Sequence, residues 1–269
     1  MTGAPTHYPA ATAFFVSVNI SDNKDTVYLV TARHVLERSR PYGELYLRLN
    51  TRGHGHAEVR VPHEDWVVHP STDVAIMSPP LPDDADAKWI PFEWLATPET
   101  VSKRGVGAGD EVAFVGLFAP FPGSGRNRPV VRFGNISLMP EEKIPVEVSP
   151  GCKCLLHAYL VEARSWGGHS GSPAFVCFQP DRHPGHLVVG GDGPPMALLG
   201  LVSGHYEIPT YVTFLGDASP SAKVPVNAGM ALVIPAEAIV EVLMGEPFLG
   251  QRERARALFT NPGSLGELT

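Results

Sequence analysis

The chain has 269 residues, 43% of them hydrophobic and 18% charged, with a formal net charge of −7. That composition is globular, and at this length roughly 75% of the unfolded surface can be buried, in one large domain or two fused halves. The acidic balance argues against nucleic acid as a partner, which needs clustered Lys and Arg, and no run approaches the roughly 18 apolar residues that span a bilayer. With Met1 as the natural start, Met1 to Ala10 lacks the basic start and apolar core of a secretory signal, so a cytoplasmic location free of membrane is expected. Cys152, Cys154 and Cys177 cannot all pair, which fits reduced thiols. The Cys-x-Cys pair could also ligate metal, but only His157 and His169 lie near it in sequence, and buried structural cysteine is the simpler reading.

Short runs with period-two alternation and β-branched or aromatic residues predict strands at Ala13 to Asn19, Thr26 to Thr31, Glu44 to Leu49, Ala57 to Val61 and Val74 to Met77. His54 and His56, interleaved with Gly53 and Gly55, read as a loop. From Leu81 to Glu99 the chain has no clear period, and a boundary between two halves is placed near Gly105. The second half carries predicted strands at Glu111 to Leu117, Val130 to Leu138, Leu155 to Glu162, Ala174 to Phe178, Leu198 to Ser203, Thr210 to Leu215 and Met230 to Ile234. Between the first two lies a turn-rich insert, Pro120 to Pro129. Pro235 to Met244 has helical spacing, Pro at its start and Gly245 just past its end. Gln251 to Leu258 reads as a further charged helix, and Asn261 to Thr269 as a frayed end. The expected organisation is 1–104, 105–250 and a tail at 251–269, with strands on each side of the linker suggesting two barrels or sandwiches.

Gly168-His169-Ser170-Gly171-Ser172-Pro173 is the sharpest local signal. Glycines beside a nucleophilic serine let the backbone turn tightly, so that the N–H groups of Gly168 and Ser170 can both point at a developing oxyanion. The same residue types also make ordinary surface turns. His34 follows an apolar strand in Val30-Thr31-Ala32-Arg33-His34, where a short helical turn can hold the imidazole. Asp73 immediately precedes the apolar run Val74-Ala75-Ile76, so it is expected to be half-buried, and a buried carboxylate needs a partner such as an imidazole N–H. Taken singly, a surface histidine and a turn aspartate explain these two equally well.

Taken together, TARH, DVAI, GHSGSP and Gly200-Leu201-Val202-Ser203, in the order His, Asp, Ser, resemble the trypsin/chymotrypsin superfamily of serine peptidases over about Thr12 to Met244. The resemblance implies an all-β fold of two six-stranded antiparallel barrels with a C-terminal α-helix. His34 and Asp73 would come from the first barrel and Ser170 from the second. Ser170 would attack the scissile carbonyl, His34 would carry its proton, Asp73 would orient His34, and Gly168 and Ser170 would form the oxyanion hole. Ser203 would lie on the substrate-binding strand, with His205 lining or narrowing the S1 pocket. Arg164 falls where the family places the pocket floor, raising an acidic P1 preference against an ordinary solvated arginine. No metal or organic cofactor is implied, and the partner is a protein or peptide substrate.

The chain departs from the family at His169, where secreted members carry the Asp that pairs with a new N-terminus. Regulation would then fall to another domain, a partner protein or loop ordering. Gly204-His205 likewise replaces the Trp-Gly that often follows the Ser203 position. Two other readings compete. GHSGS is similar to the nucleophile elbow of α/β-hydrolases, but Pro173 falls early in the helix this requires, and Asp181 or Asp192 with His205 would be poor partners. A latent or inactive trypsin-fold module, binding peptide or protein and needing an activating or regulatory partner, is the non-enzymatic alternative. His54, His56, His63, His183 and His186 read as loop residues rather than metal ligands.

Overall fold

The computed structural model describes residues 7–21, 24–149, 152–163, 168–178, 194–212 and 222–260. In the first half, β1 (Phe14–Ser21) and β2 (Lys24–Thr31) form an antiparallel hairpin, followed by α1 (Arg33–Ser39), β3 (Tyr46–Asn50) and β4 (His56–Arg60). The short β5 (Val67–Val68), β6 (Ala75–Met77) and β7 (Trp89–Pro91) complete a five-stranded sheet ordered β5-β6-β2-β1-β7. Both faces of this sheet are covered. Phe14, Val16, Tyr28, Val30 and Ile76 face the main core, while Phe15, Leu29, Ala75 and Met77 pack with Leu49 and Trp66 on the other side. That is why β1 is buried almost end to end instead of alternating.

After α2 (Pro98–Lys103), capped by the Thr97 side chain accepting from the Thr100 N–H, the second half begins with β8 (Glu111–Gly116) and β9 (Val130–Leu138). It continues with β10 (Lys143–Ser149), β11 (Cys152–His157), β12 (Tyr159–Glu162), β13 (Pro173–Cys177), β14 (Met196–Val212) and β15 (Ala222–Pro235). Six of these close a barrel in the order β12-β15-β14-β13-β8-β9. Val112, Phe114, Ile136, Val161, Val176, Leu199 and Val233 fill its interior. Leu198, Leu201, Leu232 and Ile234, on the outward face of β14 and β15, join Val16 and Val30 in the core shared by the two halves.

The described residues show one closed six-stranded barrel, and the second one expected over the first half is not shown among them. Among the described residues, β3 and β4 form a separate two-stranded sheet, β5 and β6 are two and three residues long, and β7 joins β1 in parallel. The β3–β4 hairpin packs on the five-stranded sheet through Leu47, Leu49 and Val59.

Smaller differences have local causes. The strand expected over Leu155 to Glu162 breaks at the buried Ala158, because β11 pairs with β10 while β12 joins the barrel. The β10 strand was hidden by Pro145, which sits opposite Leu155 in a two-stranded ribbon where a missing donor is tolerated. The strands expected at Leu198 and Thr210 are one continuous β14, and its 213–215 end lies outside the described residues. His56 lies in β4, not in the loop that holds His54.

Two helices close the chain. In α3 (Ala236–Met244), Ala236, Ala238, Ile239, Val242 and Leu243 form the buried face. The expected tail is an ordered helix, α4 (Phe248–Thr260), as far as 260; residues 261–269 lie outside the described residues. Arg252 of α4 is only 2% exposed. It donates to the Tyr28 hydroxyl at 3.2 Å and to the Leu243 carbonyl at 2.6 Å, tying α4 to β2 and α3. Among the described residues, no helix is long and apolar enough to cross a membrane.

Burial, with the charge of Glu237 as a lesser cause, pushes the Tyr159 hydroxyl up to about 12. The folded state therefore holds this proton more tightly than the unfolded chain, whose phenols titrate near 10. Its contribution to stability is full below about pH 10 and is lost as pH rises towards about 12. Denaturant unfolding followed across that range is expected to show the loss, and Tyr159→Phe is expected to flatten it.

Candidate active site

The three residues singled out by the sequence come together where the two halves meet. β2 ends at Thr31, and Ala32, fully buried and in extended conformation, caps α1, so that His34 falls in the first helical turn. A larger side chain at Ala32 would have no room there. Asp73 ends the loop before β6. Its carboxylate accepts the His34 backbone N–H at 2.8 Å through Oδ1, and its Oδ2 lies 2.7 Å from His34 Nδ1. Ser203 on β14 donates its hydroxyl to the same Oδ2 at 2.5 Å. The side chains of His34 and Asp73 are 17% and 12% exposed, so these three donors replace most of the water around the carboxylate.

His34 Nε2 is 3.0 Å from Ser170 Oγ. With Nδ1 donating to Asp73, Nε2 is left as the acceptor for the Ser170 hydroxyl, whose other neighbour is the Ser203 carbonyl at 3.2 Å. Gly168 has φ +100° and Gly171 φ +82°, in the left-handed region that favours glycine. A Cβ at Gly171 would also collide with the Thr12 carbonyl oxygen. The Gly171 N–H donates to Val202 and the Val202 N–H to Ser172, which fastens the serine loop to β14. Among the described residues, neither the Gly168 nor the Ser170 N–H has a backbone acceptor.

Around this centre stand residues that the sequence reading did not assign. His69 is 5% exposed, and its Nδ1 accepts the backbone N–H groups of Ser71 and Thr72 at 3.2 and 3.0 Å. Its proton therefore sits on Nε2, 2.7 Å from Glu241 of α3, so the Asp73 loop is moored to the C-terminal helix. His169 is fully buried; its Nε2 accepts from Arg132 Nε at 3.1 Å, and its ring meets Phe114 edge-on. Thr12 touches the serine loop through both backbone and side chain. The only sequence hints were a His-Pro pair four residues before Asp73 and a polar residue just before β1. Neither hint names a partner.

His205 follows Ser203 and Gly204 on β14, and its Nε2 lies 3.2 Å from Glu207. Arg164 lies outside the described residues, as do Asp181, His183, His186 and Asp192. His54 contacts Arg126, His56 the Gly125 carbonyl and His63 the Ser39 hydroxyl. No metal-competent cluster of His, Cys, Asp and Glu is found among the described residues. Cys154 and Cys177 are in no disulfide, and burial, reinforced by Glu111, pushes the Cys177 thiol up, away from the reactive thiolate. Ser170 leads into β13 of an antiparallel barrel rather than into a helix, which is incompatible with a nucleophile elbow.

No family model and no curated protein matches the chain. Among solved structures it is similar to the inactive form of the Rv3671c protease, at 18% identity and TM-score 0.41, covering 86% of each chain. The active form of that protease from M. tuberculosis gives 17% identity and TM-score 0.40, over 87% of this chain and 79% of that one. HBP gives 14% identity and TM-score 0.30, over 94% and 85%. At these values the likeness assigns neither activity nor substrate.

Ser203 supplies one of three donors to Asp73. A hydrogen bond to a charged group is worth about 1.5–3 kcal/mol, so Ser203→Ala is expected to slow reaction of Ser170 with a fluorophosphonate by about tenfold or more. The expected midpoint of thermal unfolding shifts only by a few degrees, measured by circular dichroism.

Proposed function

We propose that this chain is a serine endopeptidase of the trypsin/chymotrypsin kind, acting on a protein or peptide. The observation that carries the reading is the unbroken line of contacts from Ser203 through Asp73 and His34 to Ser170 Oγ. Residues 1–104 would contribute His34 and Asp73, residues 105–250 would contribute Ser170, and substrate would lie between them.

In this mechanism Ser170 Oγ bonds to the scissile carbonyl carbon as its proton passes to His34 Nε2. The carbonyl electron pair moves onto oxygen, which the Gly168 and Ser170 N–H groups receive. When the tetrahedral intermediate collapses, the C–N bond breaks and the leaving amine takes the proton from His34. Water then attacks the acyl ester, again with His34 as base, and Ser170 regains its proton. Asp73 stays ionised throughout, holding the imidazole in one tautomer and stabilising its charged form. His205 would border the pocket for the P1 side chain, and Arg164 would select an acidic residue there if it forms the floor. Metal and organic cofactors have no part in these steps.

Fluorophosphonate labelling tests this directly. The intact protein is expected to label at one serine and Ser170→Ala not at all, while Asp73→Asn lowers turnover of a library-selected peptide by about 10⁴. Absence of label on the intact protein would instead favour the latent binding module.

A further inference from the structure

Thr12, in the segment leading into β1, uses every hydrogen-bonding group it has at one place. Its backbone N–H donates to the Ser170 carbonyl at 2.9 Å. Its carbonyl accepts the Thr31 hydroxyl at 2.8 Å. Its own hydroxyl donates to the Gly168 carbonyl at 2.7 Å and accepts the Leu117 N–H at 2.8 Å. One partly buried residue thus joins the end of β2, three residues before His34, to the exit of β8 and to the carbonyls on either side of His169.

Those two carbonyls matter because they fix the peptide planes of the serine loop. The Ser170 N–H belongs to the 169–170 peptide, whose His169 carbonyl accepts the Ser172 N–H at 2.9 Å, and Thr12 pins the Gly168 and Ser170 carbonyls of the peptides on either side, so that three successive planes are held. The buried His169 side chain, accepting from Arg132 on β9, holds the same stretch from the barrel side.

We propose that Thr12 is a positioning residue for the oxyanion loop, holding the Gly168 and Ser170 N–H groups in the receiving geometry. The proposal deepens the peptidase reading above and rests on it for its catalytic consequence. Its geometric part, that Thr12 orders the loop, stands apart from that reading.

The test compares the full chain with Thr12→Val, which keeps the shape and removes the hydroxyl, and Thr12→Ser, which restores it. The rate of fluorophosphonate labelling is measured across pH, with amide hydrogen exchange over residues 168–172. Thr12→Val is expected to lower the plateau rate by about tenfold or more, in line with weakening one oxyanion donor, and Thr12→Ser to stay within about threefold of the parent. The shape of the pH profile is expected to stay that of the parent, and loop exchange to quicken only in Thr12→Val. Parent-like labelling and exchange in Thr12→Val would overturn the proposal, as would an equal loss in Thr12→Ser. Should the parent itself fail to label, the peptidase reading falls. Exchange alone then decides whether Thr12 orders the loop: unchanged exchange in Thr12→Val overturns that too.

Discussion

A half-buried carboxylate at the seam between two halves is the constraint on which this structure turns. Asp73 is largely withdrawn from water, and a charge so placed is costly, by several kcal/mol, unless donors surround it. Two of its donors, the His34 backbone and ring, come from its own half, while the third, Ser203, comes from the barrel. The halves must therefore meet at this point, in this register, for the charge to be tolerated. The requirement that stabilises the seam also leaves His34 Nε2 facing Ser170.

The surroundings of the site serve the same end by different means. The Asp73 loop is folded around the Nδ1 of a buried histidine whose other nitrogen reaches α3, so the C-terminal helix takes part in setting the acid. The serine loop depends on glycine conformations at 168 and 171 and on the hydrogen bonds of Thr12, Val202 and Arg132. Arg252 in turn fastens α4 across α3 and β2, the strand that delivers His34. In the proposed mechanism, rigid positioning of this sort would let oriented dipoles act on developing charge without reorganising.

Much of the site could be read from the sequence because its parts are local. Gly168 to Pro173 is contiguous, His34 follows an apolar strand and Asp73 precedes one, and each arrangement has a chemical reason visible in a few residues. Strand existence was legible for the same cause, since period two is a local property. How the strands of the first half pair was not legible. Closure depends on which strand edges find partners, and nothing in Val67-Val68 or Trp89-Ile90-Pro91 declares that β5 is short or that β7 pairs in parallel.

By itself, then, the sequence picked out the candidate residues that the structure brings together, the mostly β character of the chain and the helix after Pro235, because composition and spacing act over a few residues at a time. Only the tertiary structure decided the roles of Thr12, His69, Arg132 and Arg252. Each of these four makes its defining contacts with groups far away in the chain, or with a loop whose shape no local pattern specifies. A polar side chain reveals its purpose only when burial removes its water and one particular partner takes the place of that water.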